Sequence, residues 1–292
     1  MKNLFYLLTL FGVQSCFAQY YSYNNQFSDA TPRFKIAVAG GLQKSETDLS
    51  SDYAQTGWIN YSKTIHGTTG IQLVYEPSYY WRLEFGYEKG KLSDADSLVN
   101  PQKAALRYNR NLSFQTETQL VFLNATFSPN EWLKIWKNNA IDWQIGMGVG
   151  CLKFNPKAYF ENEWHSLHSY STEGQGFLYD NGKAPYSLTQ PVVIGTTSLQ
   201  VDLHPKWQCQ LSFNYYFLFT DYLDDVSGSY IQDDLFHRYF DSKKAAIAAQ
   251  LSNRRRDGIR VLSTEKRGNP EHKDAFAGIR LSILYVVNRK RF

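Results

Sequence analysis

From Trp207 to Phe219 the chain alternates without a break. Trp207, Cys209, Leu211, Phe213, Tyr215, Phe217 and Phe219 fall on one side, and Gln208, Gln210, Ser212, Asn214, Tyr216, Leu218 and Thr220 on the other. A period of two sends successive side chains to opposite faces of a strand. A strand this long with one almost wholly apolar face needs an apolar neighbour along its whole length. A bilayer supplies one, and membrane-spanning strands alternate apolar-out and polar-in in this way.

The same pattern predicts seven more strands. Phe34–Gly41 is a weak first one. Gly67–Glu76 sets Ile71, Leu73 and Tyr75 against Gln72 and Glu76, and Tyr80–Gly90 sets Trp81, Leu83, Phe85 and Tyr87 against Arg82, Glu84 and Glu88. Thr116–Phe127 places Val121, Leu123, Ala125 and Phe127 on one face, while Leu120 and Phe122 leave the other ambiguous. Ile141–Leu152, Val193–Leu203 and Ala277–Val287 alternate cleanly. The connections alternate as well. Those after strands one, three, five and seven are long, at about residues 42–65, 91–108, 155–190 and 221–272, and the others are shorter. An even number of antiparallel strands with short periplasmic turns and long extracellular loops describes an outer-membrane barrel. The predicted fold class is all-β, an eight-stranded antiparallel transmembrane β-barrel, with both termini in the periplasm. A soluble β-sandwich would have to bury several apolar faces this long.

The start of the chain fits this route. Lys2, the apolar run Leu4–Val13 and Cys16-Phe17-Ala18 before Gln19 form a secretory signal peptide, with cleavage after Ala18. Lipidation at Cys16 is the alternative, but Gln14 fits a lipoprotein box poorly. Residues 19–292 then form the barrel. No other segment is apolar enough for a spanning helix. Aromatic residues make up 16% of the chain, which interfacial girdles would use. The net charge of +4 does not point to nucleic acid. Cys151 and Cys209 lie on apolar strand faces, so no structural disulfide is expected.

Eight strands enclose an interior just wide enough for side chains. Arg82, Glu84, Glu88, Asp202 and Arg280 point inward, and buried charges need partners. The two arginines are expected to pair with Glu84, Glu88 or Asp202 and plug the lumen with a polar network. Function then lies in the loops or in partners. Asp233–Asn253 reads as a helix within the longest loop, with acids in its first turn and alanines inside.

The chemical candidates are sparse. Glu161, Glu163, His165 and His168 include metal-ligand types, but their spacing matches no specific motif, and a polar loop is the plainer reading. Asp221, Asp224 and Asp225 can bind Ca²⁺ or, more simply, accept backbone N–H bonds at a turn. Arg254–Arg256 with Lys266 and Arg267 would face outside and can contact lipopolysaccharide phosphates. None of the six histidines, His66, His165, His168, His204, His237 and His272, sits in a nucleophile motif, so no catalysis and no cofactor are expected.

The block Thr220-Asp221-Tyr222-Leu223-Asp224-Asp225, continuing to Tyr230 directly after a strand, resembles a family of Bacteroidota outer-membrane barrels that includes the PorG-like component of the type IX secretion system. The resemblance implies a small barrel serving as a non-catalytic subunit of an envelope machine. Its expected partners are outer-membrane lipid, lipopolysaccharide and the protein subunits of a secretion or assembly complex. A surface barrel that binds a ligand or glycan through its loops is the rival reading, and a lipid-modifying enzyme is a third.

Overall fold

A computed structural model describes residues 32–50, 52–78, 80–130, 141–178, 184–259 and 265–287. The barrel strands are β1 (Arg33–Glu46), β2 (His66–Glu76), β3 (Trp81–Ala95), β4 (Ser113–Phe127), β5 (Ile141–Lys153), β8 (Thr189–His204), β9 (Trp207–Leu218) and β10 (Ala275–Val286). Their order around the wall is β3-β2-β1-β10-β9-β8-β5-β4, and β3 pairs with β4 to close the circle. Every neighbouring pair is antiparallel. The molecule is a closed eight-stranded antiparallel β-barrel, and closure leaves none of these eight strands as an edge. The segment read as a signal peptide, residues 1–18, lies outside the described residues, as do residues 131–140 between β4 and β5 and residues 288–292.

Outward residues form an apolar belt. Val38, Ile71, Phe85, Val149, Phe213 and Leu281 are all exposed, and Met147 reaches 66%. The free thiols Cys151 and Cys209 belong to this wall. At the interior the chemistry splits into two storeys. The half nearer the short turns is largely polar, apart from Ala37, Val74 and Leu284. The half nearer the long loops is largely apolar, filled by Leu92, Leu120, Phe122, Leu152, Ile194 and Phe276 among others, with Gln43, Ser45, Thr68 and Thr118 buried along β1, β2 and β4. The ambiguous face of β4 thus points inward and forms core.

The long loops are folded. The first carries α1 (Tyr53–Thr56) and α2 (Trp58–Ser62), and the second α3 (Ala105–Arg110). The third contains the hairpin β6 (Lys157–Phe160) and β7 (Glu163–Ser166), attached to β4 through Gln115 and Lys157. The fourth holds α4 (Asp233–Tyr239) and α5 (Ser242–Ser252). The sequence reading made one helix of Asp233–Asn253, and the structure breaks it in two. The Asp241 carboxylate accepts from the N–H of Lys243 at 3.1 Å and of Lys244 at 3.0 Å, so it caps a new helix instead of continuing the old one. The two helices pack Phe236, Ala245, Ala248 and Ala249 against Phe177 of the third loop.

Candidate functional site

Two constellations carry the concentrated charge of this protein. One fills the turn-side half of the lumen, and the other forms a cap over the loop-side half.

In the lumen, β2 and β3 present Glu76, Arg82, Glu84 and Glu88 inward because they share one strand face. Arg82 Nη2 donates to Glu76 at 2.6 Å and to Gln200 at 2.5 Å, and the guanidinium stands 3.8 Å from Glu84. Arg280 of β10 stands 3.3 Å from Glu88 and 3.5 Å from Glu84. Gln210 donates to Glu84 at 3.2 Å, and Thr68 to Glu88 at 2.8 Å. Lys35 of β1 pairs with Glu76. Asp202 takes the amide of Gln208 at 2.7 Å and meets neither arginine. The network therefore comprises Lys35, Arg82 and Arg280 against Glu76, Glu84 and Glu88, and Glu84 is shared between the arginines. Lys35 was hidden in a strand whose alternation is weak, although its inward parity with Ala37 is readable. Buried charges that are paired and further hydrogen-bonded avoid the large cost of an isolated ion. Arg280 also lies over the Phe122 ring, 5.3 Å from its centre, at the boundary with the apolar storey.

The cap gathers the acidic motif with partners from every long loop. Thr220 Oγ1 accepts from Tyr222 N at 3.2 Å, and Leu223 is fully buried in the core. Tyr222 stacks on Tyr186 at 4.7 Å. Asp224 accepts from the backbone N–H of Leu49 at 3.0 Å and of Val226 at 2.9 Å, which ties the fourth loop to the first. Asp225, in a left-handed backbone conformation at φ 65°, accepts from Tyr186 Oη at 2.8 Å and from the Thr172 hydroxyl. Asp274 accepts from Leu223 N at 2.7 Å, and Asp48 from Asn269 N at 2.6 Å. Glu173 of the third loop accepts from Ser227 N at 2.8 Å and Gly228 N at 2.9 Å. Arg267 is 3.2 Å from Glu173 and 3.8 Å from Asp225, and donates to the Asp225 carbonyl. Arg110 of α3 pairs with Asp96 at 2.7 Å and donates to the Arg267 carbonyl at 2.8 Å.

Asp221 differs from the rest. It is 3% exposed, and neither carboxylate oxygen accepts a hydrogen bond. Burial pushes it up to about 7, Asp48 and Glu173 add repulsion, and Ser227 and Lys273 oppose the rise without any Ser227 donor reaching it in hydrogen-bond geometry. Burial likewise raises Asp224 to about 7 and Asp225 to about 6, Arg267 opposing the latter. Asp274 is raised well above the usual carboxylate range and Asp48 is raised too, both chiefly by burial. These folded-state values exceed the unfolded value of about 4. The folded cap therefore binds more protons than the unfolded loops across that interval, and its stability falls as pH rises from about 4 to about 7. Hydrogen-exchange protection of the loop amides, corrected for intrinsic rate, should be higher at pH 5 than at pH 8. Asp221→Asn should flatten that slope. An unchanged profile in the variant would count against Asp221 as a contributor.

The remaining candidates are placed as follows. His165 is bonded to Tyr170 Oη at 2.9 Å and the Phe160 carbonyl at 3.2 Å, and His168 to the Tyr186 carbonyl at 2.9 Å. Both rings brace the third loop, while Glu161 and Glu163 lie exposed at the tip of its hairpin. Among the described residues no group of three or more His, Cys, Asp or Glu side chains is arranged to hold a metal ion. The basic group divides. Arg267 is buried rather than outward-facing because Glu173 and Asp225 claim it. Arg255 pairs with Asp257 at 2.5 Å, and Arg256 lies over the Tyr108 ring. Glu173, Asp48 and Asp274 sit in irregular loop segments with no periodicity to mark them.

No family model and no curated protein matches the chain. Solved structures do resemble it. Neisserial surface protein A shares 8% identity over 88% of this chain and 99% of its own, with a TM-score of 0.42. The Yersinia pestis attachment invasion locus protein Ail, in complex with a heparin analogue, shares 10% identity over 88% of this chain and 99% of its own, with a TM-score of 0.37. The N-terminal β-barrel domain of Pseudomonas aeruginosa OprF shares 6% identity over 87% of this chain and 100% of its own, with a TM-score of 0.33. The likeness is one of fold alone, a closed antiparallel β-barrel of eight strands.

Proposed function

We propose that this protein is a non-catalytic outer-membrane subunit of an envelope machine, for type IX secretion or outer-membrane protein assembly, with an anchoring or accessory role. In this reading both termini are periplasmic and the four long loops face outside. The observation that carries it is the doubly closed interior. An ion network fills one half, a hydrophobic core fills the other, and the loops lock together above it. Such a molecule transmits nothing through its centre and acts through its outer surfaces. The cap exposes Tyr53, Trp58, Ile59 and Leu106, apolar side chains available to another protein. The resemblance of the Thr220–Asp225 block to the secretion-associated family supports the choice of machine.

Purification in mild detergent tests the proposal. Stoichiometric co-purification of envelope proteins is the expected result, together with no measurable single-channel conductance in planar bilayers. A clean monomer, or steady conductance, would overturn it. The rival reading, a ligand- or glycan-binding barrel, draws on the exposed Trp58 and Tyr53 in the first loop. It predicts saturable glycan binding that Trp58→Ala abolishes.

A further inference from the structure

The outer wall changes chemistry abruptly on one side of the barrel. Tyr87, Val121 and Cys151 lie directly opposite one another across β3, β4 and β5, and form an outward apolar row. Two residues further toward the long loops the aligned row is Lys89, Gln119 and Lys153. Beyond it Lys91 faces Glu117, and Lys157 of the hairpin faces Gln115. Two residues of a strand span roughly 6–7 Å. The lysines therefore begin within one step of the last apolar row, at the depth where a leaflet carries its headgroups.

Four lysines meet one carboxylate on this wall. Glu117 stands 3.5 Å from Lys89, but both side chains are more than half exposed, at 68% and 55%, so their mutual attraction is weak. Lys153 and Lys157 are exposed. The same wall carries an aromatic pair. Tyr159 and Trp164, facing each other across the hairpin, are about half exposed with ring centres 5.3 Å apart. In register they lie beyond Lys157, further from the apolar row than the four lysines. Arg254 adds a fixed cation, its guanidinium held by Ser113 Oγ and the Tyr159 carbonyl, each at 3.1 Å. The opposite wall is different. There β9 and β10 present Phe217, Phe219 and Ala277 outward, and Tyr215 is bonded to Glu46. On that side the one outward lysine among the described strand residues at this level is Lys44 of β1, and it pairs with Asp94 at 3.5 Å.

We propose that the strip formed by Lys89, Lys91, Lys153 and Lys157 binds the phosphate groups of an anionic glycolipid in the outer leaflet. This rests on the reading of the long loops as external. It moves the phosphate contact away from the arginines of the fourth loop, which are largely engaged within the cap, to the strand ends below. The lysines act as mobile point charges on flexible stems, suited to phosphates carried by laterally diffusing lipids. One bound lipid would fix the rotational setting of the barrel in its leaflet and leave the apolar opposite wall free.

Native mass spectrometry of the full chain released from nanodiscs tests this. The probe is bisphosphorylated lipid A, compared with dephosphorylated lipid A, phosphatidylcholine and inorganic phosphate. Wild type should retain the phosphorylated lipid alone. The triple variant Lys89→Gln, Lys153→Gln, Lys157→Gln should lose retention on the order of a hundredfold. The triple Lys→Arg variant should keep it, as should Lys206→Gln at the short-turn end. Heat-modifiable gel mobility checks folding, and the arginine variant decides if the glutamine variant fails to assemble. Equal retention by wild type and the glutamine variant would overturn the proposal. So would retention of dephosphorylated lipid A, or equal affinity for inorganic phosphate. Binding of lipid without any co-purifying protein would count against the subunit reading alone, and co-purification without lipid retention against this one alone.

Discussion

Arg267→Met should release the outer cap while leaving the barrel folded. Arg267 is 2% exposed and is the cation between Glu173 and Asp225. It donates further to the Ser252 carbonyl at 3.3 Å and the Asp225 carbonyl, and its own backbone N–H meets the Gly228 carbonyl at 2.7 Å. Removing one partner of a buried pair leaves an uncompensated charge and costs about 3–5 kcal/mol. Two carboxylates would be left here. An opening equilibrium shifted by that amount grows roughly a hundred- to several-thousandfold. Limited proteolysis should then cut between residues 219 and 274, while the unheated protein keeps the gel mobility of a folded barrel. Adding Glu173→Gln and Asp225→Asn should restore part of the protection, because the unpaired charges disappear with the cation. A variant cap as resistant as wild type would show that Arg267 does not hold it. Loss of the folded barrel itself would show that cap and wall are one cooperative unit.

The strands were legible because lipid and lumen impose opposite demands on alternate residues. That contrast holds only across the apolar belt. Toward the loops β1 runs to Glu46, past the predicted end at Gly41, and β3 runs to Ala95, past Gly90. β4 begins at Ser113 and β8 at Thr189, each before its predicted start. In these extensions the outside becomes polar at Lys44, Lys91 and Gln115, while the inside becomes apolar at Leu92, Phe114 and Val192. The ladder continues, but the signal that marks it inverts. Segments beginning at residues 42 and 91 were read as loop for this reason.

The lumen network was half legible. Parity alone aims Arg82, Glu84, Glu88 and Arg280 inward, but Glu76 as the main partner of Arg82 depends on the shear of the barrel, which no single strand encodes. The cap was the least legible part. The acidic block was visible as a motif, and its reading as an acceptor of backbone N–H groups describes Asp224. Its counter-residues Glu173, Arg267 and Asp48 come from loops far apart in sequence, and only closure of the barrel brings those loops over one mouth.

Closure itself should depend on three inward glycines of β5. A Cβ placed on Gly146 would lie 2.1 Å from the Ala125 carbonyl oxygen and 2.7 Å from Thr126 Cα. On Gly148 it would meet the Asn124 side-chain oxygen at 1.7 Å and the Leu123 carbonyl oxygen at 2.7 Å, and on Gly150 the Val121 carbonyl oxygen at 2.7 Å. Each is blocked by a carbonyl of β4, so β5 presses its inner face against its neighbour along this stretch. The obstacle is backbone in all three places and cannot rotate away. Forcing a methyl group into a packed site costs about 1–3 kcal/mol where neighbours can shift. Here the hydrogen-bonded wall must spread instead. Gly146→Ala should therefore sharply reduce the yield of heat-modifiable barrel on refolding in detergent, and Gly146→Val should abolish it. Gly150→Ala, with the longest approach of the three to its nearest atom, should be the mildest. Gly40→Ala and Gly195→Ala provide the contrast, since an added Cβ at either meets nothing within 4 Å. Both face outward, and both variants should refold as wild type does. Equal yields across the five variants would mean that the wall relaxes freely and that the β4–β5 contact does not limit closure.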